Sequence, residues 1–331
     1  MKKQESAKVP TKSIILAIVL LSIGMGIGVA MEAQAQGENV RTQHALFQPQ
    51  NARNPNAQTQ NTLPFYNELQ PLGPQERILK STQAFINTPT GLNPLGEGTG
   101  LDPNPTYSLK KFDCTTYVET NLAIACSKTQ QDIPGLLNKI RYHGGVVDFF
   151  QRNHFMVTDW IPENTKNGVI TEITREMSQD KAAYRLDKKN LNKTTWFYHR
   201  VIDLMDGQKK SSKDILATLA KVPAEPSEAL RQDEKTTYLL ASYFRANESA
   251  MAEKLPPLSI AMFIRNIPSS PTLVSHMGFI IKRDGKLYFN HAPQAKPWKV
   301  QEVLLEDYFT DMDDHRAPIE GLLLFKIGSG I

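Results

Sequence analysis

The feature that most restricts the fold is a hairpin signal near the C-terminal end of the sequence. In the stretch SHMGFIIKRDGKLYFNHAP, two runs of β-forming residues flank the dipeptide Asp284-Gly285. A two-residue Asp-Gly turn between such runs is typical of an antiparallel hairpin. With that turn, Arg283 pairs with Lys286, and counting back places Gly278 opposite His291. The sequence therefore predicts antiparallel sheet in this part of the chain.

The predicted register brings two histidines to one face of the hairpin. His276 and His291 become diagonal neighbours, roughly 7 to 8 Å apart at Cα and within reach of each other's rings. Asn290 then points to the other face, whereas a bulge or a longer turn would exchange Asn290 and His291. Gly278 leaves room for another element to approach closely. Two strand histidines either cap a sheet edge or form a catalytic base and the group that orients it.

A second constraint is the stretch KKFDCTTYVET, which contains one of the two cysteines of the chain. Asp113 is a good helix N-cap, and Thr116 with Glu119 offers a possible capping box one turn later. Cys114 then lies in the first helical turn, where free N–H groups and the helix dipole favour a thiolate. The alternative is a buried, inert cysteine, because a thiol needs a base beside it to act as a nucleophile.

The same helix argues against a disulfide between the two cysteines. No Gly or Pro occurs from Asp113 to Cys126, and Val118, Leu122 and Ala125 precede Cys126 on an amphipathic stripe. Residues twelve apart on one helix are separated by roughly 18 Å, far beyond the limit of roughly 7 Å for the Cα atoms of a bridged pair. We therefore predict two thiols, with Cys126 as a small core residue.

The N-terminal region predicts export. Lysines precede an apolar run from Ile14 to Ala30, and Ala33-Gln34-Ala35 follows it. A basic start, an apolar middle and a small-x-small end indicate a signal peptide over 1–35, cleaved after Ala35. The alternative is an uncleaved membrane anchor, since the run approaches the length of a membrane span. With cleavage, we expect no membrane association and a periplasmic location.

The remaining chain divides into a linker and one folded domain. Residues 36–62 are rich in Gln, Asn and Ala and have almost no large apolar side chains, which predicts a disordered linker. The domain then covers 63–331, within which the segment from about 166 to 254 is polar and largely helical in pattern. The net charge of +4 is mild, and the basic residues are spread along the chain. This distribution does not indicate a nucleic-acid partner.

These residues resemble the NlpC/P60 superfamily of papain-like cell-wall hydrolases. Within it they are most similar to the N-acetylmuramoyl-L-alanine amidase-like family, DUF1460. Five stretches over roughly 75–328 carry the resemblance: FDCTTYVET around Cys114, RYHGG at 141–145, RNHFMVTDWIPEN at 152–164, HMGFII from His276 and NHAP around His291. Two departures concern loop geometry: no Gly-Asp stands before the strand of His276, and Pro293 occupies a position that is commonly Ser.

The resemblance implies an α+β fold with a papain-like NlpC/P60 core, in which the cysteine helix packs on an antiparallel sheet, with helical additions. It assigns Cys114 as the nucleophile, His276 as the general base and His291 as the third polar group. The substrate-binding candidates come mostly from the stretch that the family adds to the superfamily core: Tyr107, Arg152, Asn153, His154, Asp159 and Trp160. That stretch either forms a polar and aromatic wall for sugar and carboxylate groups, or its aromatic residues are core and Arg152 pairs with Asp159.

The activity implied is that of an amidase that cuts the lactyl–L-Ala amide of peptidoglycan fragments, with anhydro-muropeptides as the expected substrates. No cofactor or metal is expected, because HExxH and paired CxxC signatures are absent from the sequence. Two alternatives stay open. One is a γ-D-Glu–diaminopimelate endopeptidase of the same superfamily, and the other is a catalytically silent cell-wall-binding protein.

Overall fold

The computed structural model describes residues 62–222, 233–313, 315 and 317–328. The predicted signal peptide and the predicted linker up to residue 61 lie outside the described residues. Within the described ranges, no helix combines the length and the apolar character that a membrane crossing requires.

Ten α-helices are present in the part of the chain that the structure describes. They are α1 (Tyr66–Leu69), α2 (Pro74–Ala84), α3 (Cys114–Cys126), α4 (Ile133–Arg141), α5 (Ile161–Lys166), α6 (Lys193–Gly207), α7 (Ser212–Leu219), α8 (Ala241–Ala246), α9 (Glu248–Lys254) and α10 (Leu305–Asp313). A π-helical segment, Met156–Trp160, leads directly into α5. Short 3₁₀ turns connect several of the other elements.

Eight strands form one antiparallel sheet. They are β1 (Ile170–Glu172), β2 (Tyr184–Lys189), β3 (Glu234–Leu240), β4 (Leu258–Ile264), β5 (Val274–Arg283), β6 (Lys286–His291), β7 (Gln301–Leu304) and β8 (Gly321–Ile327). Their order is β2-β3-β8-β4-β5-β6-β7, and β1 also pairs with β8. Strand β8 thus lies inside the sheet, with β4 on one side and β1 and β3 on the other. The predicted α+β class is confirmed.

The hairpin has the predicted register. Arg283 lies opposite Lys286, and Phe279 lies opposite Asn290 without an intervening bulge. Both turn residues have left-handed backbones, with φ of 52° at Asp284 and 71° at Gly285. Those values are what a tight two-residue hairpin turn requires, and Asp and Gly tolerate them.

Helix α3 begins as predicted but is more deeply buried. The Asp113 carboxylate accepts a hydrogen bond from the Thr116 amide at 2.8 Å, and the Asp113 amide donates to the Thr116 hydroxyl at 3.0 Å. The capping box therefore joins Asp113 and Thr116, and the predicted pairing of Thr116 with Glu119 is wrong. Every residue from Thr116 to Ala125 is buried, so the helix is a central one rather than an amphipathic surface helix.

The two ends of α3 reverse an expectation about the cysteines. Cys114 is only 8% exposed and belongs to the main apolar core. Cys126, predicted as a core residue, is half-buried at the C-terminal end of the helix. Helix α3 is buried on all sides, so its apolar stripe does not show which of its residues are most deeply buried.

Apolar layers cover both faces of the sheet. Helices α2, α3 and α4 pack on the face that carries Ile260, Met277 and Phe279. Helices α8, α9 and α10 pack on the face that carries Phe263 and Phe289. Residues of α6 and α7 form a third, smaller cluster with Phe149. The segment from 166 to 254 was predicted as largely helical, but it also contributes strands β1, β2 and β3, so this prediction is only partly right.

Candidate active site

The two hairpin histidines contact each other directly. His276 Nε2 lies 2.8 Å from His291 Nδ1, and the two rings are nearly perpendicular, at 84°. Asn290 points to the other face, where its side-chain oxygen accepts a hydrogen bond from the Tyr117 hydroxyl. The predicted shared face of His276 and His291 is therefore confirmed. Because His276 uses Nε2 here, its Nδ1 is the nitrogen left for a reacting group.

His291 is held by His276 and by two further side chains. Its ring stacks on Phe289 at 4.5 Å between centroids and 23° between planes, and Gln301 Nε2 lies 3.2 Å from its Nε2. Gly278 makes the stacking possible, since a Cβ there would lie 2.6 Å from the Phe289 ring. The close approach that was predicted at Gly278 is thus made by the side chain of the neighbouring strand. The ring of His291, which is 2% exposed, has little freedom to turn.

Burial keeps both histidines neutral. It lowers the pKa of His276 to about 4, with a smaller contribution from the positive charge of Arg265. It lowers the pKa of His291 to about 2, with a smaller contribution from His276. Near neutral pH, His276 is therefore an unprotonated imidazole that can accept a proton.

Cys114 approaches the His276 end of β5 from the helix layer on the other face of the sheet. The amide of Met277, the residue after His276, hydrogen-bonds to the Cys114 thiol, and so does the amide of Thr115. The Thr115 hydroxyl lies 3.9 Å from Cys114 Sγ. The structure thus joins the start of α3 to the backbone beside His276.

The protonation state of Cys114 differs from the expectation. Burial raises the pKa of the Cys114 thiol to about 12, the negative charge of Asp113 raises it further, and hydrogen bonds from Thr115 and Met277 only partly oppose this. Desolvation therefore opposes the thiolate that the helix start was predicted to favour. A protonated thiol lies near a neutral imidazole, and a reaction has to begin with proton transfer between them.

Tyr308 of α10 closes the other side of this group. Its ring lies 5.2 Å from that of His291 and 6.2 Å from that of His276. Burial raises the pKa of Tyr308, and the charge of a Cys114 thiolate raises it further. The phenol therefore stays protonated and is available as a hydrogen-bond donor at the site.

The predicted wall residues lie beside the start of α3, but most of their polar atoms are engaged. Arg152 donates to Glu97 at 2.6 and 2.9 Å and to Asp102 at 3.0 Å. Its proposed pairing with Asp159 is wrong. Asn153 is buried, and its amide side chain donates to the carbonyl of Ile140 at 3.2 Å. These contacts fix the segment against the loop at 97–102 and the end of α4.

Asp159 and Trp160 face the interior of the wall. Asp159 forms an ion pair with the buried Lys193 at the start of α6. Trp160 is fully buried, and its indole N–H donates to Glu119 at 3.1 Å. The position of Trp160 therefore fits the alternative in which it is a core residue. Its ring has no open face for a sugar.

His154 and Tyr107, the remaining members of the predicted set, are half-buried. His154 Nε2 donates to the carbonyl of Phe149 at 2.7 Å. Burial and then Arg152 hold the pKa of His154 well below its usual range, so the ring is neutral. Tyr107 packs against the main core, and burial raises its pKa.

A cleft links the wall to the helix that carries the thiol. Asn93, Asp113, Thr115, Arg152, His154 and Met156 line it together with other wall residues. Arg141 and Glu119 also line it, and Arg141 donates to Glu119 at 2.8 Å in a buried ion pair. The cleft is therefore a candidate substrate groove, lined in part by paired charges.

Several residues of this site escaped the sequence reasoning. Arg141 lies in the RYHGG stretch, yet nothing local shows that it pairs with Glu119. Gln301 and Tyr308 come from β7 and α10, which follow the last recognised motif. In the described ranges no group of three or more His, Cys, Asp or Glu residues is arranged to hold a metal ion.

The fold and the site define a class of protein: an α+β protein in which a thiol lies beside a pair of histidines. A family model described as N-acetylmuramoyl-L-alanine amidase-like matches residues 80–314. The chain belongs to this family, which supports a peptidoglycan amidase-like function and peptidoglycan-derived substrates. No protein of curated function matches the chain.

Solved structures support the same placement. A DUF1460 protein from Legionella pneumophila str. Philadelphia 1 is similar to this chain at a TM-score of 0.70 and 25% identity, covering 80% of this chain and 92% of its own. An N-acetylmuramoyl-L-alanine amidase from Bacteroides uniformis gives 0.54 and 21%, covering 77% and 99%. A putative xylanase from Bacteroides fragilis gives 0.52 and 23%, covering 75% and 100%. The last two similarities show the fold alone.

Proposed function

We propose that this protein is a cysteine-dependent N-acetylmuramoyl-L-alanine amidase with a papain-like NlpC/P60 core. Its substrates are peptidoglycan fragments, and the bond cut is the lactyl–L-Ala amide. The observation that carries the proposal is the joining of Cys114, through the Met277 amide, to the His276–His291 pair. Family membership supports the amidase class, and fragments with anhydro-muramyl ends are proposed as substrates because the family resemblance implies them.

The first step follows from the resting protonation states. Neutral His276 takes the proton of the Cys114 thiol at Nδ1 as the sulfur attacks the lactyl carbonyl carbon. The carbonyl π electrons move to oxygen, and the Cys114 backbone N–H at the start of α3 stabilises the oxyanion. Tyr308 is a second candidate donor from the opposite side.

The second half returns the proton. His276 protonates the L-Ala nitrogen, the C–N bond breaks, and a thioester to Cys114 remains. His276 then removes a proton from water as the water oxygen attacks the thioester carbonyl. The C–S bond breaks, the lactyl group leaves as a carboxylic acid that ionises in solvent, and His276 returns its proton to the Cys114 sulfur. His291 orients His276 throughout, because its Nδ1 accepts from Nε2–H of His276.

Gln301 completes the hydrogen-bond chain. For His276 to accept at Nδ1, its own proton is on Nε2, so His291 accepts at Nδ1 and donates from Nε2. The Gln301 amide satisfies that donor when its oxygen faces the ring, an orientation reached by turning the amide over. Gln301 is therefore a positioning residue that sets the direction of the proton chain.

Export is part of the proposal. A peptidoglycan hydrolase works outside the cytoplasm, which agrees with the predicted signal peptide over 1–35, cleavage after Ala35 and a periplasmic location. N-terminal sequencing of the secreted protein tests the cleavage position.

The test of the function is mass spectrometry of products from a defined anhydro-disaccharide tetrapeptide. We expect a peptide-free disaccharide and a free peptide that begins with L-Ala. A disaccharide that keeps L-Ala-γ-D-Glu would indicate the endopeptidase, and no product would indicate a wall-binding protein. Activity should persist in excess chelator and be lost after alkylation of Cys114.

A further inference from the structure

A second cleft continues the candidate groove onto helix α6. It shares Asn93, Arg152 and His154 with the cleft beside the start of α3, and α6 supplies Trp196, His199, Arg200 and Asp203. Because three lining residues are common to both, the two clefts adjoin at the wall. The groove therefore extends from the thiol-bearing helix to a region that the sequence motifs do not include.

The four α6 residues lie on one side of that helix. Their positions are i, i+3, i+4 and i+7 from Trp196, which is the spacing of a single helical face. Helix α6 starts at a firm cap, where the Asn192 side chain accepts from the Thr195 amide at 2.9 Å. The face is thus presented by a well-anchored helix and not by a loop.

Three aromatic rings pack around Trp196. Its ring meets His154 at 4.8 Å and 52°, Phe155 at 5.0 Å and 70°, and Phe197 at 5.4 Å and 74°. These are tilted and T-shaped contacts, which fix the orientation of the ring. The side chain is half-buried in the cleft, whereas Trp160 is fully buried.

The polar side chains of this cleft are available. In the described part of the chain, neither Arg200 nor Asp203 makes a hydrogen bond or an ion pair, and His199 and Asp203 are exposed. The guanidinium of Arg152, by contrast, is occupied by two carboxylates. A ligand in this cleft therefore finds an aromatic ring beside unpaired donors and acceptors.

We propose that the α6 cleft is a subsite for a pyranose ring of the glycan part of the substrate. A pyranose has a C–H face that packs on an aromatic ring and a rim of hydroxyl groups that both donate and accept hydrogen bonds. Trp196 provides the ring, while Arg200, His199 and Asp203 provide donors and acceptors. This proposal rests on the proposed amidase function and names the residues that recognise the sugar end.

Two substrates test the subsite: the anhydro-disaccharide tripeptide, and a lactyl tripeptide that lacks both sugar rings. Trp196→Ala should lower kcat/KM about tenfold on the first and leave the second within about twofold. Arg200→Ala should act in the same direction. The matched control is Trp298→Ala, since Trp298 is 46% exposed and does not line the cleft.

Calorimetric titration with the peptide-free disaccharide separates this proposal from the amidase function. Weaker binding by Trp196→Ala, with Trp298→Ala unchanged, supports the subsite even if no amide is cut. Equal losses on both substrates, or unchanged disaccharide binding, would overturn it. If Trp196→Ala melts below the assay temperature, Trp196→Leu and Arg200→Ala decide the same comparison.

Discussion

The proposed reaction centre, Cys114 with His276 and His291, and the wall at 152–160 each contain a neutral histidine, but they hold it in different ways. His291 is bonded through Nδ1 to the ring of His276, so its polar atoms are connected to another titratable group. His154 donates to a backbone carbonyl five residues away, and its ring lies among Phe149, Trp196 and Phe197. The arrangement around His291 can relay a proton, whereas the arrangement around His154 holds the imidazole ring in one position.

The two regions also differ in charge. The reaction centre combines a protonated thiol with two neutral imidazoles, so it contains little charge before reaction. The wall contains buried or half-buried ion pairs, such as those of Arg141 with Glu119 and of Lys193 with Asp159. Substitutions in the reaction centre should therefore remove chemistry, and substitutions in the wall should remove stability.

The largest expected effect is on turnover. Cys114→Ala should lower kcat by about 10⁴-fold or more, because the proposed nucleophile is lost. It should also cost about 1 kcal/mol of unfolding free energy, since the thiol is 8% exposed and lies in the core. Cys126→Ala is the control at the half-buried end of the same helix and should keep full activity. Retained hydrolysis in the Cys114 variant would end the cysteine mechanism.

The next effect is on stability. Arg141→Met should cost about 3 to 5 kcal/mol in denaturant unfolding, because Glu119 would keep a buried charge without its partner. Burial raises the pKa of Glu119, so protonation relieves that charge, and the loss should be larger at pH 8 than at pH 5. Adding Glu119→Leu should recover part of the loss. Arg185→Met is the control. The Arg185 side chain is 50% exposed, so this substitution should change the free energy of unfolding little.

The smallest effect concerns the rate of alkylation. In the Cys126→Ala background, iodoacetamide reacts only with the Cys114 thiolate. With a pKa of about 12, the rate should rise about tenfold per pH unit from pH 7 to pH 10 without levelling off. The unfolded protein should level off near pH 9. A plateau at neutral pH in the folded protein would instead reveal a resting thiolate–imidazolium pair.

Sequence patterns predicted the reaction centre better than the wall, because its determinants are local. The Asp284-Gly285 turn sets the hairpin register, and Asp113 caps its own helix. The wall depends on residues far apart in sequence: Arg152 pairs with Glu97, 55 residues earlier, through a contact that no periodicity shows. Nothing local distinguishes the buried Trp160 from the half-buried Trp196.

Burial of α3 escaped prediction for the same reason. Glu119 and Asn121 look like solvent-facing residues. Their partners are distant in sequence: Arg141 forms an ion pair with Glu119, and the Ser81 hydroxyl donates a hydrogen bond to Asn121. Without those partners in view, the helix pattern indicates an exposed side. The expected thiol pKa was therefore that of a helix start at a surface. A helix start in a core is more strongly desolvated, which raises the pKa of the thiol.

The interior position of β8 has a consequence for biosynthesis. Among the described strands, the one that joins β4 to β1 and β3 comes last in sequence, so a nascent chain that has not yet reached it cannot close the sheet. Until it arrives, β4, whose residues are all buried in the folded protein, has one unpaired edge, which is a hazard for intermolecular pairing. Holding the chain unfolded until its end is complete, as a chaperone does, would protect that edge, and loss of the final strand would leave two half-sheets that cannot assemble.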